Sequence, residues 1–108
     1  MFQKPLQFLF LLAILLTSTS ALAQKFVVSG KVTDLENAQP LFSATVQVAG
    51  TTEGATTDFD GNYSIELPSG TYKLIFSYIG LLEVTKEITV IGTNIPQTLD
   101  VALGGNKL

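Results

Sequence analysis

The stretch Thr57-Asp58-Phe59-Asp60-Gly61-Asn62-Tyr63-Ser64-Ile65-Glu66-Leu67-Pro68-Ser69-Gly70-Thr71-Tyr72-Lys73-Leu74 leaves little besides β-structure open to the chain. Asp58, Asp60 and Asn62 put short carboxylate and amide side chains around a φ-permissive Gly61, and Pro68-Ser69-Gly70 repeats the signal further on; both are places where a chain reverses. Between them Tyr63, Ile65 and Leu67 alternate with Ser64 and Glu66. After them Tyr72, Leu74, Phe76 and Tyr78 alternate with Thr71, Lys73, Ile75 and Ser77. The pattern reads as a β-meander with one buried face.

The rest of the chain supplies partners of the same kind. Phe26 to Thr33 places Val28, Gly30 and Val32 on one side and Ser29, Lys31 and Thr33 on the other, followed by a polar connection ending at Pro40. Ala44 to Val48 alternates again, and Gly50 to Gly54 is a turn. Ala55-Thr56-Thr57 is a short Thr-rich strand suited to an edge. Leu82 to Val90 offers Leu82, Val84, Ile88 and Val90 inward, Ile91 to Asn94 turns, and Gln97 to Leu103 offers Leu99, Val101 and Leu103. About seven short strands with no helical pattern make an all-β fold, a small antiparallel β-sandwich. A transmembrane barrel is excluded by length, because the smallest takes about eight strands of roughly ten residues each.

The 108 residues have room for one domain, and its expected span is 24–103. Met1 to Ala23 reads as a secretory signal peptide: Lys4 in a short n-region, an apolar run from Phe8 to Leu16, and the small-residue site Ala21-Leu22-Ala23, with cleavage before Gln24. The run is shorter than the roughly 20 residues of a spanning helix. Gly104 to Leu108 reads as a flexible tail or the start of a linker. Beyond the leader, five Lys stand against nine acidic side chains, a net of −4, with no Arg. Nothing in that balance suits nucleic acid or an anionic lipid surface. The absence of Cys excludes a disulfide framework and a thiolate metal site, and the absence of His removes the usual general base.

The run Val28-Ser29-Gly30-Lys31-Val32-Thr33-Asp34, Gly50-Thr51-Thr52-Glu53-Gly54, Thr57-Asp58-Phe59-Asp60-Gly61-Asn62-Tyr63, Leu67-Pro68-Ser69-Gly70 and Phe76-Ser77-Tyr78-Ile79-Gly80 resembles the carboxypeptidase-regulatory-like domain. That domain is a transthyretin-like, Greek-key type sandwich. Following a signal peptide, these elements look most like the N-terminal extension of SusC-type TonB-linked outer-membrane receptors. The resemblance implies a periplasmic location or one at the cell surface, a protein partner in the receptor or periplasm, and an accessory rather than catalytic role. Family members usually carry an aromatic residue where Leu81 and Leu82 stand, so packing there is expected to differ. The family continues into a plug and barrel, so the chain is expected to be either the N-terminal domain of such a receptor or a free-standing copy.

No catalytic, cofactor-binding or metal site is expected. Asp58, Asp60 and Asn62 alternate as in a Ca²⁺ loop, but the position of the bidentate Glu falls on Ser69, and an Asx-stabilised turn is the reading favoured. Lys31 with Asn94 or Asn106 has the residue types of the isopeptide crosslinks in the related CnaB-type domains, yet alternation turns Lys31 and Glu66 outward. The Thr51 to Thr57 hydroxyls have no base beside them and read as a solvated edge. Tyr63, Tyr72 and Tyr78 could stack on a sugar, which makes a carbohydrate-binding or adhesion module the alternative function; their period favours the core. Ile75 and Ile79, on the opposite side of their strand, are the candidate contact patch if exposed. A partner is expected to pair along the edge at Ala55 to Thr57.

Overall fold

The structure, a computed structural model, describes residues 24–105; the expected signal peptide and the last three residues lie outside them. Eight strands form in chain order: β1 (Lys25–Asp34), β2 (Thr45–Val48), β3 (Gly54–Thr56), β4 (Asn62–Pro68), β5 (Gly70–Ser77), β6 (Val84–Val90), β7 (Gln97–Thr98) and β8 (Val101–Leu103). One sheet runs β4-β1-β7, with β8 also on β1; the other runs β3-β2-β5-β6. The expected seven strands are present, the last divided at Leu99-Asp100. That division has a local cause. Leu99 N–H donates to the Ser29 carbonyl at 2.8 Å, and Lys31 N–H is taken by the Asp100 carboxylate at 2.8 Å, so a side chain replaces one rung of the ladder.

The sandwich is as expected, but the meander is not. β4 pairs antiparallel with β1, Val28 opposite Ile65, while β5 pairs with β2 and β6. Pro68-Ser69-Gly70 therefore carries the chain from one sheet to the other instead of closing a hairpin. Gly70 makes that corner at φ 152°, a backbone region that belongs to glycine. The physical reason lies in the two apolar faces: Tyr63, Ile65 and Leu67 on β4 meet Leu74 and Phe76 on β5 across the core rather than beside it. Tyr63 and Phe76 pack edge to face with centroids 5.6 Å apart. The C-terminal strands also depart from a uniformly antiparallel pattern, since β7 and β8 run parallel to β1.

The core draws Val28, Val32, Val101 and Leu103 from the first sheet and Val46, Val48 and Val90 from the second, with Leu41 and Ala44 closing it from the connection between β1 and β2. Phe76 and Leu74 are wholly buried. Each such side chain stabilises the fold by about 1.5–3 kcal/mol, which is how a domain without disulfides holds together. Leu82 departs from the sequence reading: it lies before β6 and is exposed, as β6 begins only at Val84.

Candidate functional site

The strand registers bring one set of connections to one end of the sandwich. Thr45 lies opposite both Ser77 and Thr56, Lys31 opposite Asn62, and Val32 beside Val101. The loops 35–44, 57–61 and 78–83 and the stretch after Leu103 therefore share that end. It carries Leu35, Phe42, Phe59, Ile79 and Leu82, five of the seven large apolar side chains exposed among the described residues. Ile91 and Ile95 occupy the other end. Ile79 is 90% exposed, as the sequence allowed for, whereas Ile75 is half-buried.

The apolar end is rigidly built. Thr57, expected on a solvated edge, is only 3% exposed. Its hydroxyl donates to the Leu41 carbonyl at 2.5 Å and accepts from Ala44 N–H at 2.8 Å, and its backbone carbonyl accepts from Ser43 N–H at 3.1 Å. A single threonine thus spans the turn from Leu41 to Ala44. Within that turn Ser43 takes φ 65°, uncommon for a residue with a side chain. Asp58, next in the chain, accepts Asp60 N–H at 3.0 Å and Asn62 N–H at 2.9 Å on one carboxylate oxygen. This is the Asx turn expected there. Gly61 closes it at φ 78°, where a Cβ would lie 2.6 Å from the Val32 carbonyl oxygen.

The two fixed turns present Phe42 and Phe59 stacked face to face, centroids 4.2 Å apart and planes within 7°. Beside them opens a cleft of about 430 Å³ lined by Phe42, Thr45, Ser77, Tyr78, Ile79 and Glu83. The sequence reading missed both phenylalanines. The signal was an aromatic set between two aspartates in a turn, where no strand face can bury it.

Two of the three tyrosines are engaged away from that cleft. Tyr63 is 4% exposed, and its hydroxyl donates to the Leu99 carbonyl at 2.6 Å. Burial, with the Asp100 carboxylate adding to it, pushes that phenol up to about 12. Tyr72 is half-buried and donates to the Pro68 carbonyl at 2.8 Å; Tyr78 is half-buried beside the core. Lys31 is exposed and Asn106 lies outside the described residues. Among the described residues no three His, Cys, Asp or Glu gather as metal ligands, and no helix is long and apolar enough to cross a membrane.

A second feature is the free side of β3, the edge of the second sheet. Val48 N–H donates to the Glu53 carbonyl and Thr57 N–H to the Ala44 carbonyl, so the alternate residues Gly54 and Thr56 turn their amides away from β2.

The profile of the CarboxypepD_reg-like domain family matches residues 28–105, from the first core valine of β1 to just past β8. The chain belongs to this family. Among curated proteins it is similar to TonB-dependent receptor P3 of Formosa agariphila, 41% identical over 91% of the chain and 10% of the receptor. It is also 36% identical to TonB-dependent receptor SusC of Bacteroides thetaiotaomicron over 85% of the chain and 9% of the receptor. The chain thus spans about a tenth of the receptors it matches. A solved DUF3823 family protein from Bacteroides ovatus superposes with a TM-score of 0.57 at 22% identity, covering 74% of the chain and 44% of that protein, a likeness of fold alone. The similarity of this domain is to the N-terminal regions of those receptors.

Proposed function

We propose that the chain is an exported, non-enzymatic β-sandwich that serves a TonB-dependent receptor as an accessory interaction domain on the periplasmic side of the outer membrane. The observation that carries this is the alignment of 91% of the chain with a tenth of a TonB-dependent receptor. Its chemistry agrees: the shifted phenol of Tyr63 is tied to a backbone carbonyl in the core, and five exposed large apolar side chains share one end of the sandwich. Residues 24–103 form the domain and 1–23 are its leader. Partner contact uses strand addition at β3, where Thr56 offers an outward amide.

Fractionation of cells producing the tagged full chain tests this. The expected result is recovery in the envelope, without residues 1–23, together with a TonB-dependent receptor. A cytosolic chain that keeps its leader overturns it. Thr56→Pro removes the outward amide without touching the ladder to β2; unchanged recovery of the receptor rejects that edge.

The alternative, a carbohydrate-binding module, keeps one observation in its favour. Phe59 is an exposed aromatic beside a cleft that half-buried Tyr78 lines with Thr45, Ser77 and Glu83, although Tyr63 and Tyr72 are tied by their hydroxyls to backbone carbonyls. Titration calorimetry of the chain with neutral oligosaccharides tests it; no heat of binding at millimolar sugar rejects it.

A further inference from the structure

We infer that the apolar end of the sandwich is the face by which this domain docks on the adjoining part of a TonB-dependent receptor, an apolar surface with a basic rim. The inference rests on the receptor association proposed above and adds the surface and the orientation. Three features converge. Exposed large apolar side chains are unevenly spread: Leu35, Phe42, Phe59, Ile79 and Leu82 share one end. A monomer keeps such a grouping in water at a cost in solubility, so grouping marks contact.

The phenylalanines are held ready. Phe42 leaves a turn spanned by Thr57 and bent by Ser43 at φ 65°; Phe59 leaves the turn fixed by Asp58. Side chains already ordered lose little freedom on binding. The positive φ at Ser43 is uncommon and is found here at the residue that turns Phe42 out of the core.

The chain also leaves the domain through this end. Leu82 N–H donates to the Gly104 carbonyl at 3.2 Å, and the Leu35 and Leu82 side chains lie against Gly104 and Gly105. In a receptor that carries the domain at its N-terminus, the polypeptide beyond Gly105 sets out from within the patch. A short connection then gives the two surfaces a high effective concentration, so modest apolar contact suffices. Asp58, Asp60 and Glu83 border the patch, which selects a partner with Lys or Arg around an apolar centre. The same carboxylates would face one another in a two-fold dimer through this end, which disfavours a second copy as occupant.

The test uses the full chain carrying a photoreactive benzoylphenylalanine in place of Phe59, Ile79, Ile91 or Ile95 in turn. Each is mixed with detergent-solubilised SusC from which its own copy of the domain has been deleted. Co-purification reads association, and covalent adducts read the docking face. The expected result is receptor adducts from positions 59 and 79 but not 91 or 95, and a loss of about tenfold in the position-79 adduct when Phe59→Ser is added. Phe59 and Ile79 are exposed, so an unchanged thermal melt verifies that these variants fold. Co-purification with adducts only from 91 or 95 overturns the docking face and leaves the association standing. Adducts from 59 between two copies of the chain, or to an added neutral oligosaccharide instead of the receptor, overturn it as well. Neither co-purification nor adducts overturns both readings.

Discussion

The Tyr63 hydroxyl donates to the Leu99 carbonyl across 36 residues of sequence, at 2.6 Å, and thereby ties β4 to the break between β7 and β8 over the top of β1. The break is where the parallel strand loses a rung to the Asp100 side chain, so the phenol holds an irregular point of the first sheet. Tyr63→Phe keeps the packing against Phe76 and leaves the Leu99 carbonyl without this donor. A loss of about 1–2 kcal/mol in urea unfolding is expected.

The same phenol gives a signature at high pH. Its protonated form is favoured in the fold, since the group is raised from 10.0 to about 12. The contribution is complete below pH 10; as pH rises toward 12 the unfolded chain releases this proton first, and stability falls. Unfolding followed from pH 9 to pH 12 should show a steeper decline in the wild type than in Tyr63→Phe. Parallel curves would place the loss on other groups.

Gly30 lies on β1 under the Leu99 carbonyl, and a Cβ there would run into that carbonyl, with Tyr63 also close. The obstruction is backbone, so no side-chain rotation relieves it. Gly30→Ala is expected to cost about 3 kcal/mol or to prevent folding, read by circular dichroism and the yield of soluble protein.

Thr57 serves two buried backbone groups, the Leu41 carbonyl and Ala44 N–H. Thr57→Val fills the same volume and satisfies neither. The expected loss is about 2–3 kcal/mol by chemical denaturation. Thr57→Ser, which keeps the hydroxyl, should recover most of it.

Asp58 spends one carboxylate oxygen on two amides of its own turn. Asp58→Asn, which retains that oxygen, should shift stability by less than about 0.5 kcal/mol, and Asp58→Ala should cost about 1 kcal/mol. Thermal melts with millimolar Ca²⁺ and with a chelator should coincide; a rise in Tm with Ca²⁺ that Asp58→Ala abolishes would instead make the turn a cation site.

Period-two alternation was enough to place β4 and β5 residue by residue, because Ser64, Glu66 and Lys73 could only face water if Ile65, Leu67 and Leu74 did not. It was silent on which strands pair. A tight turn after Leu67 reads the same whether the next strand lies alongside or opposite, and only Gly70 at φ 152° and the partners of each strand decide it. Lys86 shows another limit: it falls in step with Val84 and Ile88 but is exposed, because β6 is an edge strand whose inner face is only partly covered. Phe42 and Phe59 escaped because alternation assigns faces only within strands, and both stand in the connections 35–44 and 57–61. The family signature reached further than the alternation, since its Thr-Asp-Phe-Asp-Gly-Asn-Tyr run contains Thr57, Asp58, Gly61 and Tyr63, each of which holds a turn or a seam.

The placement of β1 between β4 and the terminal pair β7 and β8 sets the order in which the fold can be completed. β1 is synthesised first among the strands, yet one of its flanks stays open until residues 97–103 are available. Those pairings join residues some seventy positions apart, as Lys31 and Asp100 do at a separation of 69, and closing such long loops slows folding relative to local hairpins. A growing chain that ends anywhere short of Leu103 is thus an unfinished sheet with an exposed template strand. Until residues 97–103 arrive, the main-chain groups on that flank of β1 stay open to another strand.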